Sequence, residues 1–325
     1  MDQEFTGQRT DLSQLSASVE QIKAALGGIV IGQSDMIELL IAGILADGHV
    51  LIDGVPGIAK TLTAKLLAKS LDARFSRIQF TPDIMPSDVL GTSVFNPRES
   101  TFEFKQGPIF GNIILVDEIN RAPAKTQSAL FEVMEERQVT MDGKTYEMQE
   151  PFIVLATQNP IEHEGTYRLP EAQLDRFLLK IEVKYPSLEE EVEILTRQHS
   201  QTTREQLEQV VPVITAEQIR SYRKQVKTLH VEPKLIEFVA KIIHESRNNK
   251  SLFLGGSPRA SLAIINVAKA IAAIKGRDFI TPEDIVKIAP AVLRHRIMLT
   301  PEKEMEGISP DDVVAQIIQK IEIPR

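Results

Sequence analysis

The feature that most constrains this chain is a strand that runs straight into a glycine-bearing turn and then into a helix. His49-Val50-Leu51-Ile52-Asp53 is short, apolar and β-branched, which reads as a buried strand. Gly54-Val55-Pro56-Gly57-Ile58-Ala59-Lys60-Thr61 follows, and then Leu62, Leu66, Leu67 and Leu71 recur at helical spacing. Such a turn suits a phosphate. Glycines let backbone amides face inward, the helix N-terminus favours an anion, a lysine reaches the β- and γ-phosphates, and a hydroxyl reaches Mg2+. Gly54, Gly57, Lys60 and Thr61 stand where that geometry needs them. Ala59 replaces the last glycine of the general pattern, and an alanine fits there if its backbone is helical, where a methyl costs little.

A second strand carries the other half of the chemistry. Ile113-Ile114-Leu115-Val116 ends in Asp117-Glu118. Asp117 is placed to hold the Mg2+ water shell beside Thr61, and Glu118 to orient and polarise an attacking water, because phosphoryl transfer needs positioning more than covalent help. With the phosphate loop, this makes hydrolysis of a nucleoside triphosphate the leading reading. Three further residues are weak signals singly. Asn159 closes the strand Phe152-Ile153-Val154-Leu155-Ala156 and could place the water beside Glu118. Arg176 precedes the apolar run Phe177-Leu178-Leu179, which continues to Val183. Arg259 follows Ser257-Pro258 in the first turn of a helix, where a cation opposes the dipole and hints at an anionic partner.

Continuous apolar strands alternating with helices imply a parallel sheet covered on both faces. After Tyr185-Pro186 only helices are expected. Ser187-Leu188-Glu189-Glu190 and Thr215-Ala216-Glu217-Gln218 read as capping boxes, and Ser257-Pro258 and Thr281-Pro282 as helix starts. The expected division is therefore an α/β nucleotide-binding domain over 1–186, with a helical segment at about 10–46 and a core at about 47–186, then a smaller all-α lid over 187–325. Two hairpins interrupt the α/β pattern: Val139 to Tyr146 around Asp142-Gly143, the signature of a type I′ turn, and Val94 to Phe104 around a longer loop.

Composition trims the alternatives. The 325 residues, 42% hydrophobic and 25% charged, can bury a real core, and the absence of cysteine excludes disulfides and thiolate chemistry. The six histidines have no metal-binding spacing, and no run nears the about 18 apolar residues of a spanning helix. The net charge of −8 argues against nucleic acid as a partner, and the interrupted apolar runs argue against membrane insertion. Met1-Asp2-Gln3-Glu4 lacks the basic and apolar stretches of a secretion signal, so a cytoplasmic location is expected.

Taken together, these stretches resemble the MoxR group of AAA+ ATPases over nearly the whole chain. The resemblance rests on Val30-Ile31-Gly32-Gln33, Gly54 to Thr61, Ile113 to Ala122, Ala156 to Pro160, Glu164 to Phe177 and Ser257 to Ala260. It implies a P-loop AAA+ domain with a central parallel sheet flanked by helices, followed by an all-α lid, and ATP and Mg2+ as cofactors. By the same resemblance Ile31 and Gly32 lie near the adenine, Gly54 through Leu62 and Asp117 bind the nucleotide, and Thr61 and Asp117 serve the metal. Glu118, Asn159 (sensor 1), Arg176 (arginine finger) and Arg259 (sensor 2) are then catalytic. Arg168, standing where the group often has proline, is a rival finger, and His163, where glutamine is common, has no assigned role. The hairpins correspond to a helix-2 insert and a pre-sensor-1 hairpin, which usually face a pore or a client. The implied partners are further copies of the chain in a hexameric ring and a client protein, such as one with a von Willebrand A domain. A DNA-acting motor and a low-turnover regulatory switch are the competing readings. The negative charge, with only Arg98 and Lys144 as cations at the hairpin tips, counts against the first. The presence of Glu118 and Arg176 counts against the second.

Overall fold

A computed structural model describes residues 10–55, 57–159, 167, 169–200 and 203–324. Its strands, in chain order, are β1 (Val50–Gly54), β2 (Phe75–Gln79), β3 (Gly91–Asn96), β4 (Thr101–Gln106), β5 (Ile113–Asp117), β6 (Gln138–Met141), β7 (Lys144–Glu147), β8 (Ile153–Gln158), β9 (Leu179–Val183), β10 (Leu252–Leu254) and β11 (Met298–Leu299). The chain forms two compact units, one of Gln21–Arg220 and one of Ser221–Arg325 with the stretch up to Glu20.

The first unit is built on a five-stranded sheet in the order β2-β5-β8-β1-β9, with every pairing parallel. All of β5 is buried, and β8 is buried up to Thr157. That is why these strands read as continuous apolar runs, not as alternating ones. β2 is the strand the sequence reading lacks. Phe75-Ser76-Arg77-Ile78-Gln79 sits at the sheet edge and buries only Ile78, so no apolar run announces it. Beneath the sheet, Phe131 on the helix Ala124–Glu136 meets Phe177 edge to face at 5.7 Å, both in a cluster with Phe80 and Phe152.

Both expected hairpins form: β3 pairs with β4 and β6 with β7. Asp142 and Gly143 take φ of 51° and 74°, the two left-handed residues of a type I′ turn. The expected capping boxes are also present. The Ser187 amide donates to Glu190 Oε2 at 2.8 Å and the Glu190 amide to Ser187 Oγ at 3.3 Å, and Thr215 and Gln218 repeat the exchange at 2.8 and 3.2 Å.

The boundary between the two units falls at Arg220, beyond the change of composition at Pro186. The helices Leu188–Ser200 and Thr203–Gln209 and the turn after them hold to the first unit: Lys69 Nζ donates to the Leu207 carbonyl at 2.6 Å, the Val213 amide to the Ser70 carbonyl at 2.7 Å, and Arg197 to the Gly28 carbonyl. The second unit packs Pro233–Asn248, Pro258–Ile274, Pro282–Leu293 and Pro310–Lys320 around Phe238, Ile242, Ile264, Ile271 and Ile288. The expectation of helices alone is corrected by β10 and β11, which pair antiparallel. Each has at most three residues, too short for a period to show. Among the described residues no helix is long and apolar enough to cross a membrane.

Candidate functional site

The C-terminal ends of β1, β5 and β8 bring the phosphate loop and the acids together. In a parallel sheet all strands end on the same edge, and a ligand sits in the crevice there. The cavity at this edge, about 380 Å³, is lined by Lys60, Thr61, Asp117, Glu118 and Asn159 among others.

Gly54 lies close to its neighbours: a Cβ there would press on Ile58 Cδ1 at 2.6 Å, which can move, and on the Val183 carbonyl at 3.1 Å, which is backbone. Gly57 must be glycine for conformation, with φ of 89° and open space where a side chain would stand. Ala59 departs from expectation. Its backbone is left-handed (φ 60°, ψ 18°), not helical, and it precedes the helix Lys60–Ser70 as cap. The position keeps the glycine conformation of the general pattern although it carries a methyl. Its carbonyl accepts from the Thr63 amide at 2.9 Å and from Thr63 Oγ1 at 3.0 Å, which fix it to the first helical turn. Pro56 lies outside the described residues.

Lys60 bends back over the loop, donating to the Gly54 carbonyl at 2.5 Å and to the Gln158 carbonyl at 3.4 Å. Burial pushes its ammonium below the usual lysine pKa, against the pull of Asp53, Asp117 and Glu118. Thr61 Oγ1 points at Asp117 Oδ2, 3.5 Å away. A hydroxyl and a carboxylate facing each other are a set of hard oxygens, which fits Mg2+ beside a triphosphate.

Glu118 turns the chain sharply after β5. Its φ of 58° is left-handed, and a short 3₁₀ turn over Ile119–Arg121 follows. Thr157 stabilises this corner: its buried hydroxyl accepts from the Glu118 amide at 3.0 Å and donates to Asp117 Oδ1 at 3.2 Å. The Glu118 carboxylate accepts from Gln79 Nε2 at 2.9 Å and pairs with Arg121 Nε at 3.1 Å. Arg77 Nε donates to Asp117 Oδ2 at 2.6 Å. Arg77, Gln79 and Thr157 are site residues that sequence reasoning missed. The sequence marks neither of the first two, because Phe75 and Ile78 stand three apart and give β2 no alternation, and Thr157 lies hidden beside Asn159. Asn159 itself is buried at the end of β8.

A second cavity of about 340 Å³ shares Gly57, Ala59 and Leu62 with the first and adds Ile29, Val30, Ile31 and Ile58. Its wall around these residues is apolar, and Gln33, Glu191, Arg197 and Gln206 line the rest. Ile31 lines the cavity. Gly32, at φ 74°, backs onto Glu190, whose carboxyl group would lie 2.7 Å from any Cβ there. Arg176 does not line the phosphate cavity: it donates to the Phe131 carbonyl at 2.6 Å and stands 4.0 Å from Glu135. Arg259 is the second residue of the helix Pro258–Ile274, in the other unit. Arg168 and His163 lie outside the described residues. Among the described residues no group of three or more His, Asp or Glu could hold a metal by itself.

The two hairpins touch. Phe104 of β4 packs on Tyr146 of β7 with ring centres 4.6 Å apart, and Ser93 of β3 donates to Asp142 in the turn of the other. On the first hairpin Phe95 and Phe102 form an exposed pair at 5.3 Å.

Comparison with known proteins identifies the family and agrees with the fold. Residues 49–179 match the family described as ATPase family associated with various cellular activities (AAA), and residues 244–317 match the AAA lid domain. YeaC of Bacillus subtilis is 46% identical over 95% of both chains. Chaperone MoxR1 of Mycobacterium tuberculosis is 43% identical over 96% of this chain and 84% of its own. A crystal structure from Cytophaga hutchinsonii, 40% identical, overlays with a TM-score of 0.88 and covers 96% of this chain and 97% of that one.

Proposed function

This chain belongs to the MoxR-type AAA+ ATPases and is an ATPase, and from that premise we propose that it hydrolyses ATP with Mg2+ in a ring, driving the remodelling or maturation of client proteins. The observation that carries the proposal is the convergence of Lys60, Thr61, Asp117, Glu118 and Asn159 on one cavity, which shares Gly57, Ala59 and Leu62 with a second, partly apolar pocket. The loop after β1 and the Lys60 ammonium hold the phosphates, and the base lies against Ile31. Thr61 and Asp117 would hold Mg2+, which neutralises charge on the β- and γ-oxygens when bound. Glu118 orients and polarises water for in-line attack, and Asn159 keeps that water and the γ-phosphate in line.

Arg176 is assigned to a neighbouring subunit's site as its finger, and Arg259 keeps the sensor-2 role that family membership suggests. The proposed division of function follows the change of composition, nucleotide binding over 1–186 and a lid over 187–325, although the helices Leu188–Ser200 and Thr203–Gln209 hold to the first unit. The contact between the hairpins supports a joint client-facing element. The β6–β7 hairpin joins the helix that follows Glu118 to the strand that leads to Asn159, so nucleotide state can reach it. Chaperone action is the name borne by the M. tuberculosis relative, and a cytoplasmic site and a von Willebrand A client complete the reading.

A Glu118→Gln trap tests it. It should retain ATP, lose hydrolysis and hold a client in pull-downs, whereas Lys60→Ala should lose both ATP and client. Mixing Arg176→Ala with Lys60→Ala should restore part of the turnover, because some interfaces then pair an intact loop with an intact finger. Full activity of Arg176→Ala, or activity per subunit that is constant down to monomer, refutes the shared site. Loss of ATP binding in Glu118→Gln would make Glu118 structural.

A further inference from the structure

Both oxygens of Asp117 are engaged, and by different kinds of partner. Oδ1 faces inward and accepts from the buried Thr157 hydroxyl at 3.2 Å, and that hydroxyl also fixes the Glu118 corner. Oδ2 is the oxygen that Thr61 faces at 3.5 Å, so a metal served by Thr61 and Asp117 would lie on the Oδ2 side, held directly or through one of its waters. That oxygen already has a cation on it, the Arg77 guanidinium at 2.6 Å. Arg77 is held from behind. Its Nη2 donates to Gln79 Oε1 at 3.1 Å, and Gln79 Nε2 donates to Glu118 Oε2 at 2.9 Å. Arg77 and Gln79 lie two apart on the edge strand β2, where successive side chains alternate, so both present to the same edge of the site while Ile78 faces the core.

We propose that Arg77 is a resident counter-cation that competes with the divalent metal for Asp117 Oδ2 and thereby sets how strongly metal couples to nucleotide binding. The proposal rests on the ATPase reading of this site. A divalent cation on the Oδ2 side, direct or through a water, would bring a second positive charge close to the Arg77 guanidinium, and the repulsion is relieved as Arg77 swings off. The Arg77 side chain is 47% exposed and has solvent to move into, whereas Asp117 at 9% cannot follow it. Because Arg77 is tied through Gln79 to Glu118, its departure also loosens one of the two donors on Glu118. Arg77 is thus a positioning residue that makes metal arrival and the release of Glu118 parts of one event.

The test measures binding of a fluorescent ATP analogue in EDTA and across a Mg2+ titration, for wild type, Arg77→Gln and Arg77→Lys. Arg77→Gln keeps part of the methylene stem and removes the charge. It should leave the affinity in EDTA unchanged and lower the half-saturating Mg2+ concentration about fivefold, the factor set by the roughly 1 kcal/mol that a half-exposed pair is worth. Arg77→Lys retains the charge and should track wild type, which separates this role from a merely structural one. An unchanged or higher Mg2+ requirement in Arg77→Gln overturns the proposal. So does a weakened affinity in EDTA, which would put the guanidinium on the phosphates. Wild type that binds no nucleotide at all would sink the ATPase reading beneath it, an outcome distinct from both.

Discussion

Ala59 offers a test in which the sign of the effect reports the backbone. Left-handed backbone costs an L-residue about 1–2 kcal/mol, and Ala59 sits there at φ 60° with its carbonyl bound to Thr63. Ala59→Gly removes that strain, but glycine loses roughly 0.4–1 kcal/mol more entropy on folding. The net is a gain of about 0.5–1 kcal/mol, or a Tm rise of about 1–4 °C for a unit of this size. Ala59→Val should go the other way, because a β-branched residue is strongly disfavoured at positive φ. Urea denaturation without nucleotide reads both, provided m is unchanged. If Ala59 instead had the helical backbone that its place before Lys60 suggests, Ala59→Gly would cost about 0.5–1 kcal/mol, as glycine does inside a helix. A lower urea midpoint for Ala59→Gly therefore refutes the left-handed assignment.

Three further expectations follow from buried or strained contacts. Thr157→Val strips the hydroxyl from both the Glu118 amide and Asp117 Oδ1, and should cost about 1–3 kcal/mol in urea melts and slow ATP turnover, with Thr157→Ser recovering most of both. Gly32→Ala should cost about 2–3 kcal/mol, for positive φ and for pushing Glu190 off its cap. In a Glu190→Ala background only the conformational part should remain, so an undiminished cost in the double mutant would show that the two do not interact. Asp284, fully buried, accepts two bonds from Arg277 at 2.7 and 2.8 Å and one from Lys275 at 3.0 Å. Burial alone would raise its pKa, but these partners and the Thr281 amide outweigh it and hold the carboxyl below the usual value. Asp284→Ala should cost about 3–5 kcal/mol. Since the folded pKa is the lower one, the wild-type advantage is present above the ordinary aspartate range near ~3.9 and fades as pH falls through the folded value. Melts of both proteins at pH 7 and pH 3 check this, and a difference that does not shrink at pH 3 would contradict it.

What the sequence determined by itself is whatever depends on neighbours along the chain. The apolar runs before Gly54, after Gly111 and before Asn159 announce buried parallel strands, because burial on both faces demands continuous hydrophobicity. Asp142-Gly143 announces its turn, since it supplies two positive φ angles cheaply, and Ser187 with Glu190 announces a cap that closes within three residues. The order of strand, loop, helix and acidic strand end was legible for the same reason. Only the tertiary structure decided which side chains meet across the sheet. Arg77 reaches Asp117, and Gln79 reaches Glu118, because β2 pairs with β5 in one register, with Gln79 opposite Asp117. An exposed edge strand with a single buried residue leaves no mark in a hydropathy pattern. Ala59 takes the left-handed conformation although its residue type prefers otherwise, and the bonds from Thr63 accompany that choice. Gly32 is backed by Glu190, a residue far along the chain, and Arg176 is held by the Phe131 carbonyl. Such contacts join segments that chain order keeps apart, and register, which the whole sheet sets at once, decides them.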